Sequence, residues 1–65
     1  MKSYSSREIL QILKEDGWTV KGQEGSHIQL MHPTKPGKVT VKHPIKQYKI
    51  ETLLSMFKQA GLKPR

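Results

Sequence analysis

The chain has 65 residues, no cysteine, and 12 Lys+Arg against 5 Asp+Glu, a formal charge of +7 at neutral pH. That length holds one small domain burying about 60% of its unfolded surface, and without cysteine it has neither disulfides nor cysteine-based zinc sites to staple it. The basic residues are spread along the chain, so a folded body carries a field that attracts polyanions, nucleic acid or an acidic partner protein, unless it is only a solvated basic surface.

The opening MKSYSSREIL lacks the apolar core of a signal peptide, and no apolar run reaches membrane-spanning length, so the expected location is the cytoplasm. Ser5 to Glu8 reads S-x-x-E, a capping box in which Ser5 caps the Glu8 N–H and Glu8 reaches back. Ile9, Leu10, Ile12 and Leu13 then form a helical stripe, and Gly17 stops the helix, which is expected over residues 6–16.

Trp18-Thr19-Val20-Lys21 alternates and is β-prone, so it reads as a short strand. Gly22-Gln23-Glu24-Gly25 reads as a turn bounded by glycines, and residues 26–31 as a second strand. The connection His32-Pro33-Thr34-Lys35-Pro36-Gly37 is rich in turn formers, and Val39-Thr40-Val41-Lys42 is a third strand. Two short connections between consecutive strands imply an antiparallel meander.

His43-Pro44 breaks the ladder, and a loop runs through Tyr48. Ile50, Leu53, Leu54, Phe57 and Ala60 recur at helical spacing, with no good N-cap before them. Gly61 ends that helix, and Leu62 falls where a Schellman motif makes its apolar contact with Phe57. The tail Lys63-Pro64-Arg65 is expected to fray. The fold class is therefore α+β, in the order α-β-β-β-α. A three-stranded antiparallel sheet carries two helices on one face and meets solvent with the other, in a single domain over residues 1–65 with its core at about 3–62.

Strand alternation sorts the side chains. Trp18, Val20, Ile28, Leu30, Val39 and Val41 are expected inward. Thr19, Lys21, His27, Gln29, Met31, Thr40 and Lys42 are expected on the helix-free face. On the residues alone, His27 is either a surface histidine at a strand start or a group poised for chemistry. Trp18 reads as core by parity. Tyr48, between Lys46 and Lys49, reads as a candidate for stacking on bases, or as part of a solvated loop. His32 and His43 each precede proline and read as turn formers first, though His43 at the strand end lies close to the outward face. The histidines are separated by 4 and 10 residues, and carboxylates do not cluster near them, so neither a metal nor any other cofactor is expected. Glu24 either orients His27 or is a solvated turn charge.

Five blocks in this order carry a resemblance: Asp16-Gly17-Trp18, Gly25-Ser26-His27, His32 to Gly37, the Val39 to Pro44 segment, and Leu53 to Leu62. Together the chain resembles the HicA family of small toxins, the messenger-RNA-cleaving half of a bacterial toxin–antitoxin pair, over about residues 3–62. Members often carry proline where this chain has Lys42. The resemblance implies a fold like a double-stranded-RNA-binding domain, ribonuclease activity on mRNA, and an essential histidine in the Gly-Ser-His block, here His27. It also implies a HicB-like antitoxin, expected to cover the sheet face. Histidine suits the proton transfers of RNA cleavage and lysine the phosphate charge. The expected RNA contacts are Lys21, Gly25, Ser26, Gln29, Lys42 and Lys46, with Lys49 beside them and with Gly22 and Gly25 letting a phosphate approach the backbone. The competing readings are a non-catalytic RNA-binding module of the same fold and a domain that binds only protein.

Overall fold

The computed structural model describes residues 3–63, so the end of the Lys63–Arg65 tail, at Pro64 and Arg65, lies outside the described residues. Helix α1 (Ser6–Glu15) begins at the expected capping box: the Glu8 N–H donates to Ser5 Oγ at 3.2 Å, and the Ser5 N–H donates to the Glu8 carboxylate at 3.0 Å. Strands β1 (Thr19–Glu24), β2 (His27–Met31) and β3 (Lys38–Lys42) form one antiparallel sheet in the order β1-β2-β3. Helix α2 (Ile50–Ala60) closes with Gly61 at φ 67°, the left-handed cap that glycine adopts without strain. The Leu62 N–H reaches the Phe57 carbonyl at 2.9 Å and Gly61 that of Lys58 at 3.1 Å, which is the expected Schellman motif.

Both helices pack against β3, on the face carrying Ile28, Leu30, Val39 and Val41. Burying these side chains against Ile9, Leu13, Leu53 and Phe57 removes apolar surface from water, the main driving force in a domain this small. Trp18 is 1% exposed, as its parity requires, and its indole N–H donates to the Asp16 carboxylate at 3.2 Å.

Four expectations are corrected. The segment Gly22–Glu24 is strand, not turn; only Gly25 and Ser26 separate β1 from β2. Gly25 has φ 56° and Ser26 has a negative φ, the signature of a two-residue type II′ hairpin. Gly22 marks instead a break in register between Val20 and Gly22, a β-bulge at Lys21. Val20 pairs with the buried Leu30 yet is 48% exposed, because both helices pack chiefly over β3, at the other edge of the sheet. On α2, Ile50 and Leu54 are exposed and Met56 is buried, since the helix turns its Leu53–Met56–Phe57–Ala60 side to the sheet.

The fourth correction is Tyr48. It is buried, its hydroxyl donates to the Lys42 carbonyl, and its N–H donates to the Tyr4 carbonyl at 3.1 Å. The same loop is held to α1 by Ser6, whose N–H donates to the Ile45 carbonyl at 2.8 Å while its hydroxyl accepts from the Ile45 N–H at 2.9 Å. A tyrosine fixed in this way presents no ring face for a base to stack on. Burial also raises its phenol above the ordinary value of 10.0.

Candidate nucleic-acid interface

The helix-free face is set by cross-strand register. Residues directly paired across an antiparallel sheet share a face. Three rows result: Glu24–His27–Lys42, Gly22–Gln29–Thr40, and Thr19–Met31–Lys38. The expected outward set Thr19, His27, Gln29, Met31, Thr40 and Lys42 is thus brought onto one surface. Lys38 joins it; its position one residue before the expected start of β3 kept it out of the sequence-level set. Glu24 is the one carboxylate in these rows.

The His43 N–H donates to the Ser26 carbonyl at 2.7 Å, continuing the β2–β3 ladder one step past His27 and Lys42. Hydrogen-bonded and non-hydrogen-bonded pairs alternate in such a ladder, so His27 and Lys42 form a non-hydrogen-bonded pair, the kind whose side chains lie closer. His27 is exposed, at the end of the sheet where the Gly25-Ser26 turn leaves the face unobstructed. At Gly22 and Gly25 an added Cβ would meet nothing within 4 Å, so a ligand can reach the backbone on both sides of Glu24. Lys46 and Lys49 are exposed on the loop between β3 and α2 rather than on the sheet. Lys21, the bulged residue, lies toward the opposite end of β1 from His27, beside Thr19 and Met31.

The other two histidines are engaged in holding the fold. His32 Nδ1 accepts from the backbone N–H groups of Thr34 and Lys35, each at 3.1 Å. Both can only donate, so the ring proton sits on Nε2, which donates to the Asp16 carbonyl at 2.7 Å. His43 Nδ1 is 2.6 Å from the Ser6 hydroxyl, a buried group on the helix side of the sheet. Ladder alternation puts the His43 side chain opposite in direction to that of Lys42, away from the outward face. Among the described residues no three His, Asp or Glu side chains converge as a metal-binding group.

The connection between β2 and β3 is a clamp that sequence reasoning passed over as turn formers. Lys35 Nζ donates to the Asp16 carboxylate at 2.6 Å and to the Ala60 carbonyl at 2.9 Å, joining the C-terminal ends of both helices. The hydrogen bond from Lys35 holds the Asp16 carboxyl below its ordinary 3.8; burial opposes this, and the Lys35 charge and the Trp18 indole add to it. The signal was a lone lysine between two prolines, which composition alone does not distinguish from a solvated loop.

A family model described as the HicA toxin of bacterial toxin-antitoxin matches residues 6–62. A chain from a solved structure titled "HicA3 and HicB3 toxin-antitoxin complex" superposes with a TM-score of 0.85 at 26% sequence identity, the match covering 95% of this chain and 100% of that one. No curated protein matches the chain. No helix of the described residues is long and apolar enough to cross a membrane.

Proposed function

The chain belongs to the HicA toxin family of bacterial toxin–antitoxin systems, and from that premise we propose that it is an endoribonuclease that cleaves mRNA at His27 and is silenced by a HicB-like antitoxin laid over the sheet face. The observation that carries this reading is the division of labour among the three histidines. His32 and His43 have ring nitrogens bound within the protein, whereas His27 is exposed on the helix-free face with Lys42 directly across from it.

RNA carries its own nucleophile. The 2′-hydroxyl attacks the adjacent phosphorus, a P–O2′ bond forms, and the bond to the 5′ oxygen breaks. His27 takes the 2′-hydroxyl proton as general base and then returns a proton to the departing 5′ oxygen as general acid. No electrons are exchanged and no co-reactant is needed. The Lys42 ammonium compensates the charge that builds on the phosphate. Gly25 and Ser26 lend backbone groups at the open turn, Gln29 holds the strand along the face, and Lys21 and Lys46 take flanking phosphates.

The complex named in the similar structure supports the antitoxin as partner. An acidic or neutral surface over the His27 face would exclude RNA and be drawn to the basic face as it associates. The test is inducible expression in cells. Wild type arrests growth, co-expression of the neighbouring antitoxin relieves the arrest, and His27→Ala at equal expression is harmless. A His27→Ala protein that remains toxic removes His27 from the chemistry. A wild-type protein that binds RNA but never cuts it makes the chain a binding module.

A further inference from the structure

Beyond Gln29 on the same face, β2 ends at Met31 beside a depression of about 320 Å³ lined by Gly17, Thr19, Lys21, Met31, His32 and Pro33. That volume is at the lower end of small-ligand pockets, about 300–1,000 Å³. Its floor is apolar: Met31 is 43% exposed, Pro33 is exposed, and the His32 ring is fixed at both nitrogens and cannot swing aside. Its wall is kept close by Gly17, where an added Cβ would come within 3.0 Å of His32 Nε2. Its rim is cationic. Lys21 lines it, and Lys38, which lines the groove between β3 and α2, is the residue across the ladder from Met31. The nearest acid by chain position, Asp16, is committed to Lys35.

An apolar floor with ammonium groups at its edge matches one element of a polyanion, an unstacked nucleobase with its phosphate outside. Bases splayed from single strands are recognised by such surfaces, and a thioether makes favourable contact with an aromatic ring. The depression continues the His27 surface. His27, Gln29 and Met31 point to the same side, and from His27 to Met31 the strand advances about 13 Å, the reach of about two extended nucleotides. Its apolar floor suits a base ring, and the Lys21 ammonium at its edge suits phosphate.

We propose that the Met31–Pro33 depression is a nucleobase subsite, taking the base about two nucleotides from the scissile phosphate, with Lys21 and Lys38 on the flanking phosphates. The proposal rests on the reading of this face as RNA-binding and adds a determinant of where the chain cuts.

The test uses the His27→Ala protein, so that RNA stays whole, and measures binding of a labelled hexaribonucleotide by fluorescence anisotropy at low salt. An abasic residue is placed at each position in turn. One position is expected to lose about tenfold in affinity, within the range that stacking of one base supplies. Met31→Thr, a β-compatible change at an exposed position, should abolish that sensitivity, so that abasic and intact strands bind alike. Lys21→Gln should instead weaken every strand equally. The subsite is overturned if RNA binds but no position is sensitive, or if the sensitivity survives Met31→Thr. It is also overturned if Met31→Thr weakens the antitoxin complex and leaves RNA binding intact, which would make the depression a protein contact. Failure of any RNA to bind at low salt would remove the underlying function and the subsite with it.

Discussion

Lys42 stands directly opposite His27 across the β2–β3 ladder, while its own carbonyl receives the Tyr48 hydroxyl. The side chain is therefore carried by a backbone anchored from the far side. Reversing its charge should act on both ligands proposed for this face. Lys42→Glu is expected to weaken single-stranded RNA about tenfold and to flatten the salt dependence by about 0.7 in the log–log slope, one phosphate contact. It should weaken the antitoxin complex at the same time. Titrations of the two ligands against one protein sample check this; an antitoxin affinity that is unchanged would place the antitoxin elsewhere.

His32 separates structure from chemistry. Replacing it with alanine orphans the Asp16 carbonyl and the N–H groups of Thr34 and Lys35, and removes the edge contact with Trp18 at 5.3 Å between centroids. His32→Ala should cost about 2–4 kcal/mol, as several lost partners in a part-buried site imply. Urea unfolding measures it. A midpoint equal to that of the wild type would show that the clamp is idle.

Tyr48→Phe keeps the ring and loses the bond to the Lys42 carbonyl. A loss of about 0.5–1.5 kcal/mol is expected, the usual worth of one such bond. RNA affinity should not change, because the ring is in the core. A drop in RNA affinity without a drop in stability would show that the Tyr48 hydroxyl serves RNA rather than the Lys42 carbonyl.

The Asp16 carboxyl sits below its ordinary value in the folded chain, chiefly through the Lys35 hydrogen bond. Its stabilising contribution is then fully present above the ordinary 3.8 and is lost as pH falls through the lower, folded value. Thermal unfolding should therefore show stability falling as pH drops below about 4, and Asp16→Asn should flatten that limb. An acid limb of the same steepness in Asp16→Asn would mean that other carboxylates carry it.

Much of this was legible because local rules agreed with one another. Ser5 and Glu8 specify a helix start, Gly61 and Leu62 a helix end, and the alternation Val39, Val41 against Thr40, Lys42 a half-buried strand. His27 could be placed outward from parity alone. Its proposed role could not: a single histidine on a strand carries no mark of chemistry, and only the family resemblance singled it out. Periodicity failed where tertiary cover is uneven. Val20 and Leu54 have apolar side chains at apolar positions, yet the helices gather over β3 rather than β1 and α2 rotates Leu54 outward. Tyr48 failed for a different reason. Its neighbours Lys46 and Lys49 suggested a wet loop, while the bonds that bury it run to Tyr4 and Lys42, remote in sequence or set by backbone position.

The central claim is that His27 moves protons for attack by RNA's own 2′-hydroxyl. It is tested most directly by incubating purified protein with an RNA oligonucleotide and with the same strand carrying one 2′-deoxy residue at the mapped cut site. Wild type should cut the all-RNA strand, leaving a 5′-hydroxyl on the downstream fragment. The deoxy strand should stay intact at that site, and His27→Ala should leave both strands whole with its unfolding midpoint unchanged. Cutting of the deoxy strand at the same bond, or cutting by His27→Ala at the wild-type rate, would contradict it.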